Sequence, residues 1–236
     1  MEAVQKQKLA EFLDLAHDFL GNGYKRTDKI YNFNDDDPFP VEDTIAIIAD
    51  EIKACKNCSL GETRTNTVPG EGVLNPLVMV IGEGPGMDED RKGRPFVGKA
   101  GQLLDKMLSS IGLSRGANAF IANVVKCRPP KNRDPYPEET AACGHFLFRQ
   151  ILLLKPKFIL VAGKVAANTL LKTAEPVGFL RGKFTNFVLG EHSFPLIVTY
   201  HPAALLRNEN LKRPSWEDLK LLRARIESEM TDSGGS

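Results

Sequence analysis

The sequence predicts a three-layer α/β/α fold with a central, mostly parallel four-stranded sheet and an N-terminal helical extension. Two observations predict it. Short apolar runs bounded by glycine, proline or polar residues alternate with segments whose apolar residues recur at helical spacing, the order that builds parallel strands joined by crossover helices. The chain has 236 residues, 42% of them hydrophobic, which is enough to bury one sizeable core.

Residues 4–21 carry Leu9, Phe12, Leu13, Leu15, Ala16, Phe19 and Leu20 as a helical stripe closed by Gly21 and Gly23. The following YNFNDDDPFP, residues 31–40, is acidic and broken by proline, so residues 1–40 are read as a helix and linker. The body is expected over 41–230, and the TDSGGS tail, 231–236, is expected to be disordered. A helix over 41–54 delivers Cys55 at its C-terminal end, and residues 76–81 form the first strand. Helical spacing through Leu103, Leu104, Met107, Leu108 and Ile111 predicts a helix from 99 to 111, stopped by Gly112. A second strand is expected over 119–125. A helix over 137–154 opens with Pro-Glu-Glu, which suits the positive end of its dipole, and places Cys143 on a helix. Strands at 158–162 and 196–199, a helix at 164–172 and a closing helix at 216–230 complete the alternation.

Lys and Arg total 31 against 30 Asp and Glu, so the overall field attracts no polyanion and any nucleic-acid binding must come from local clusters. No apolar run reaches the roughly eighteen residues of a membrane span, and the N-terminus is amphipathic rather than signal-like. A soluble, cytoplasmic monomer is expected.

The chemistry concentrates at strand ends. The first strand empties into Gly82-Glu83-Gly84-Pro85-Gly86, where glycine lets backbone approach a planar ligand, followed by acidic residues and by Phe96 in GRPFVGKAG. Asn123 ends a buried strand, where an amide is costly unless something satisfies it, and a base edge would do so as well as a structural partner. The loop after it holds four cations in eight residues, Lys126, Arg128, Lys131 and Arg133, and reads as phosphate-seeking rather than merely solvated. The last strand ends in Tyr200-His201-Pro202, which aims His201 at the same crevice. The small-apolar-Arg run after it suits a wedge into a duplex, with Arg207 on a phosphate. Asp88, Glu89 and Asp90 are read as caps for the next turn.

Cys55 and Cys58 form C-x-x-C, and Cys127 and Cys143 lie further along. Thiols so distributed in a reducing compartment suggest one metal site, with buried unpaired thiols as the alternative, and their softness admits zinc or iron–sulfur alike. Two nucleotide motifs fail: Gly82-x-Gly84-x-Gly86 sets its third glycine one place early for a dinucleotide fingerprint, and Gly163-Lys164 lacks the rest of a P-loop.

In order and approximate spacing, CKNC, GEGPGMDEDRKGRPFVGKAGQLLDKML, NVVKCRPPKNR, the Cys143 helix and TYHPAALLR resemble the family 4, iron–sulfur uracil-DNA glycosylases. The resemblance spans about Cys55 to Arg207. It implies a [4Fe–4S] cluster on Cys55, Cys58, Cys127 and Cys143, and hydrolytic removal of uracil flipped out of single- or double-stranded DNA, leaving an abasic site. It gives Phe96 the role of stacking on the base and Asn123 that of reading its edge. The loop of Gly82, Gly84, Pro85 and Gly86 contacts the base, and His201 donates to uracil O2. Glu83 polarises water or stabilises the sugar cation, an acid one place earlier than in the best-known uracil glycosylases. Lys99, Arg128, Lys131, Arg133 and Arg207 are the expected DNA contacts. No inserted Arg-rich loop with a histidine follows KCRPPKNRDPYP, so no covalent link to DNA is expected. The other readings are a catalytically silent DNA-binding module of the same fold and a zinc-stabilised small-molecule binder. Residues 1–40 lie outside the resemblance and either cover the sheet edge or dock a repair or replication partner.

Overall fold

The structure is a computed structural model of the chain and describes residues 43–233. The helix expected at 4–21 and the linker at 31–40 lie outside the described residues. In chain order the helices are α1 (Ile45–Ala54), α2 (Leu60–Thr63), α3 (Met87–Lys92), α4 (Lys99–Ser109), α5 (Pro137–Leu154), α6 (Lys164–Leu171), α7 (Val177–Leu180), α8 (Pro202–Arg207) and α9 (Lys212–Ser233). The strands are β1 (Glu71–Gly72), β2 (Val78–Gly82), β3 (Ala119–Asn123), β4 (Phe158–Ala162), β5 (Phe184–Leu189) and β6 (His192–Thr199).

They form one sheet of order β1-β3-β2-β4-β6-β5. The inner four, β3-β2-β4-β6, are parallel, and the edges β1 and β5 run antiparallel to their neighbours. The expected four-stranded parallel sheet is therefore the middle of a six-stranded one. Every residue of β2, β3 and β4 is buried, as strands covered on both faces require. Alternate side chains serve opposite layers. Met79, Ile81, Phe120, Ala122, Ile159 and Val161 pack with Ile48 and Ile52 of α1, Phe146, Leu147 and Ile151 of α5 and Ala166, Ala167 and Leu170 of α6. Val78, Val80, Ile121, Phe158 and Leu160 pack with Leu104, Met107 and Leu108 of α4 and Leu219, Leu222 and Ile226 of α9.

Helix boundaries follow local chemistry. Thr44 caps α1 by accepting from the Ile47 amide at 3.1 Å, so the helix starts later than apolar spacing suggests. Pro137 stands at the first turn of α5, whose span matches the expected one. β3 stops at Asn123, two residues earlier than expected, and β6 begins at His192 because β5 pairs with its residues 192–197. Pro214 is accommodated in the first turn of α9, which starts before Trp216 and continues through Thr231, whose hydroxyl donates to the Ser228 carbonyl at 2.7 Å. The tail thus begins in helix, where sequence composition suggested disorder.

Because the inner strands are parallel, their carboxyl ends meet at one edge. Gly82 is in register with Asn123, and Ala162 with Thr199. The loops that follow are thereby gathered into one crevice. On its α4 side, Gly101 lets the helix press against the Phe96 backbone, since a Cβ there would lie 1.9 Å from the Phe96 carbonyl oxygen. Gly101→Ala is expected to destabilise the fold by about 1–3 kcal/mol, the usual range for overpacking, in chemical denaturation.

Candidate active site

Four strand ends build a cleft of about 660 Å³ lined by Glu83, Gly84, Pro85 and Gly86 after β2, Asn123 at the end of β3, Gly163 and Lys164 after β4, and Tyr200 and His201 after β6, with Phe96, Arg133 and Arg207 on its walls. Gly82, expected among the base contacts, lies outside this lining and acts from behind it. A Cβ there would lie 2.4 Å from Asn123 Oδ1 and 2.6 Å from Phe96 Cζ, so only glycine lets the amide and the ring converge. Asn123 is 1% exposed, and its Oδ1 has no hydrogen-bond partner among the described residues. A buried acceptor of this kind costs about 1–3 kcal/mol unless a ligand satisfies it.

Phe96 is held in place by force from both sides. Its φ of 52° lies in the left-handed region, unfavourable for a bulky side chain. Glu89 Oε1 accepts from the Val97 and Gly98 amides at 2.8 and 2.9 Å, while Arg115 donates to the Pro95 and Phe96 carbonyls at 2.9 and 3.0 Å. The other oxygen of Glu89 accepts from the Gly86 amide at 3.1 Å. One carboxylate therefore joins the glycine loop to the aromatic loop, a larger role than the capping expected of it. Asp90 likewise accepts from the Thr65 and Asn66 amides, at 2.8 and 3.2 Å. The Phe96 and His201 rings stack at 5.5 Å between centroids.

His201 is the N-cap of α8, and its Nδ1 accepts from the Ala203 amide at 3.2 Å. Burial, with help from the positive Arg207, lowers its pKa to about 4, against a smaller opposing effect of Glu89. At neutral pH the ring is uncharged. Because Nδ1 is an acceptor, the proton sits on Nε2, free to donate into the cleft. Glu83 responds to burial in the opposite sense: desolvation, and then the negative Asp134, push its carboxyl up to about 7, while Arg207 pulls it down.

The expected DNA-contacting cations divide. Arg133 and Arg207 line the cleft; Lys99, Arg128 and Lys131 lie outside its lining. Lys99 and Lys131 are exposed. Arg128 Nε donates to Asn132 Oδ1 at 2.7 Å. Arg133 makes a two-pronged pair with Glu139 at 2.7 and 2.8 Å and lies 3.6 Å over the Tyr136 ring, so much of its donor capacity is already engaged. Lys126, counted in sequence among the phosphate-seeking cations, is 1% exposed and faces inward. Leu206, 49% exposed beside Arg207, is the apolar tip of α8.

The four cysteines line a second cavity with Ile52, Gly61, Arg64, Lys126 and Phe146. Cys55 and Cys58 are half-buried between α1 and α2; Cys127 and Cys143 are buried. Arg64, which sequence reasoning missed, donates to Cys127 Sγ at 3.1 Å and to the Cys55 and Lys53 carbonyls at 2.8 and 3.0 Å. The Lys126 amide donates to Cys143 Sγ at 3.3 Å. Burial pushes the Cys143 thiol up to about 12 and raises that of Cys127. Among the described residues, no three His, Cys, Asp or Glu groups gather closely enough to hold a single metal ion.

The family model described as the uracil DNA glycosylase superfamily matches residues 69–220. The chain belongs to that superfamily. Within it the chain is similar to the type-4 uracil-DNA glycosylase of Pyrobaculum aerophilum, 46% identical over 72% of this chain and 88% of the relative. It is 41% identical to the type-4 uracil-DNA glycosylase of Saccharolobus solfataricus, over 79% of this chain and 88% of the relative. The type-4 enzyme of Thermotoga maritima is also 41% identical, over 80% of this chain and 97% of that protein. The match covers every strand end that lines the cleft, so membership in the uracil DNA glycosylase superfamily and the geometry of the cleft concern the same residues. Among the described residues no helix is long and apolar enough to cross a membrane.

Proposed function

We propose that the chain is a monofunctional uracil-DNA glycosylase that hydrolyses the N-glycosidic bond of uracil everted from DNA and leaves an abasic site. The observation that carries this reading is the orphaned Asn123 Oδ1 at the floor of a cleft walled by Phe96, Glu83 and His201. Uracil offers N3–H to that oxygen and O4 to the amide donor, whereas cytosine presents an acceptor at N3 and a donor at C4. Phe96 stacks on the base and replaces the neighbour it lost in the duplex.

Breaking the bond leaves negative charge on the departing base. The neutral His201 donates from Nε2 to uracil O2 as that charge grows, which needs no proton transfer and no ionised imidazole. In the loop 84–86 the Gly84 amide serves the same carbonyl region, since Pro85 has no N–H and the Gly86 amide already donates to Glu89. Glu83 acts as a carboxylate, on the attacking water or on the cationic sugar. Arg207 and Leu206 at the tip of α8 serve a backbone phosphate and the gap left in the stack, and Lys99, Arg128 and Lys131 extend the basic surface. Arg133 chiefly orders the loop through Glu139.

The cysteine cavity fits an iron–sulfur cluster by its donor chemistry: four soft sulfur ligands face one space, two of them already receiving N–H donors from Arg64 and the Lys126 amide, and two are costly as buried thiols. Cys55, Cys58, Cys127 and Cys143 would hold it. Bound there, the group would tie the chain after α1, the helix α5 and the basic loop together through these four residues. The purified chain is expected to absorb visible light, and Cys58→Ser to lose that absorption along with thermal stability; a colourless native protein containing zinc would contradict the assignment.

The test of function is scission of a labelled uracil-containing oligonucleotide after alkali, with Glu83→Ala, Asn123→Ala and His201→Ala alongside. Cleavage by the native chain and its strong reduction, to a residual rate still measurable with excess enzyme, are expected in all three variants. Unchanged activity in the three would refute the site.

A further inference from the structure

The basic loop hides one lysine that the mechanism above does not use. Lys126 is fully enclosed, and its ammonium donates to two neutral acceptors, the Asn123 carbonyl at 2.9 Å and Gln150 Oε1 at 2.7 Å. Gln150, itself 0% exposed on α5, passes the restraint on by donating from Nε2 to the Pro69 carbonyl at 2.8 Å. The Lys126 carbonyl accepts from the Val68 amide at 2.8 Å, and its amide meets Cys143. Both hydrogen bonds of the ammonium go to neutral oxygens, with the Cys143 sulfur as a neighbour whose charge favours the ammonium, so burying it is expensive.

Its geometry fixes one peptide. β3 ends at Asn123; beyond it the Val124 and Val125 amides still donate to the Gly82 and Glu83 carbonyls at 2.9 and 3.1 Å, and the carbonyl side of the Asn123–Val124 peptide takes its hydrogen bond from Lys126. The Asn123 carbonyl is the group that the Lys126 ammonium grips, and rotation of that peptide would swing the side chain whose Oδ1 stands at the cleft floor. We infer that Lys126 is a positioning residue for base recognition: through the Asn123 carbonyl it aims Oδ1 and Nδ2 at the edge of uracil, with Gln150 as its second anchor. This rests on Asn123 reading the base, as proposed above.

Coupling between the two residues tests it. Lys126→Met keeps the length and apolar stem and removes the ammonium. In the native background it is expected to lower kcat/KM for a uracil oligonucleotide about tenfold and to weaken binding of free uracil to a similar degree, with KM for DNA little changed. Visible absorption is expected to stay intact, reporting an undisturbed cysteine centre. In an Asn123→Ala background the same substitution is expected to cost less than about twofold further, because there is no side chain left to aim. A loss of equal size in both backgrounds, or no loss in the native one, would overturn the inference. If Lys126→Met fails to fold, Gln150→Met, which leaves the ammonium but frees its anchor, carries the same comparison with a smaller loss. Full activity of Asn123→Ala alone would instead strike down the reading of the base, a distinguishable failure.

Discussion

Glu83→Gln is expected to lower kcat by roughly 10²–10⁴, the range for removing a positioned general base or an equivalent carboxylate. It is also expected to flatten the acidic limb of the pH profile. The sign follows from burial. With its carboxyl raised to about 7, Glu83 is protonated below that pH and ionised above it, so activity falls as pH drops through about 7. His201 does not contribute to that limb, since it stays uncharged down to about 4. A pH profile of single-turnover excision checks both points. A limb that survives unchanged in Glu83→Gln would assign the titration to another group.

His201→Leu carries the second large effect. Removing a single donor aimed at a developing anion costs roughly 10²–10³ in kcat in well-studied sites. The same loss is expected here because the Ala203 amide on Nδ1 leaves Nε2–H as the only proton to offer. The loss should sit in kcat rather than in KM, as charge on the base appears only as the bond breaks. Measured by single-turnover kinetics, it should also be nearly constant between about pH 5 and 9, since the native ring is neutral across that interval. A loss that appeared only below pH 6.5 would mean that the cationic ring does the work.

What sequence made legible was set by periodicity and by special residues at strand ends. The α5 span was readable because Pro-Glu-Glu marks its start and Phe146, Ile151 and Leu154, on its buried face, carry the helical spacing to its end. β2 and β4 were readable because both faces are covered, leaving continuous apolar runs. β5 was not: Thr185, Asn186 and Val188 face solvent, and the polar pair Thr185-Asn186 splits its apolar residues, so this edge strand presents no continuous buried run to find. β1 is two residues long and offers no pattern at all.

At the site, Gly82, Asn123 and His201 could be placed together because parallel strands must deliver their carboxyl ends to one edge. Glu89, Arg115, Lys126 and Arg64 could not. Each is a charged residue whose hydrogen bonds tie segments together, Glu89 and Arg115 on the Phe96 loop, Lys126 on Asn123 and Gln150, and Arg64 on Cys127 and Cys55, and on a one-dimensional reading such residues look like caps or solvated cations. Asp88, Glu89 and Asp90 form one acidic run, yet the structure sends Glu89 to the Phe96 loop and Asp90 to residues 65 and 66. Arg133 counted as a phosphate contact for the same reason, until Glu139, eighty residues from its other partner Ser59, was seen to bind it.

The central claim, that this cleft receives one everted uracil on Asn123, is tested most directly by a crystal structure of the protein with free uracil. The base is expected on the Phe96 ring, with N3–H donating to Asn123 Oδ1, Nδ2 donating to O4, and His201 Nε2 facing O2. Uracil bound elsewhere, or seated in the cleft with Asn123 Oδ1 still unpartnered, would contradict it.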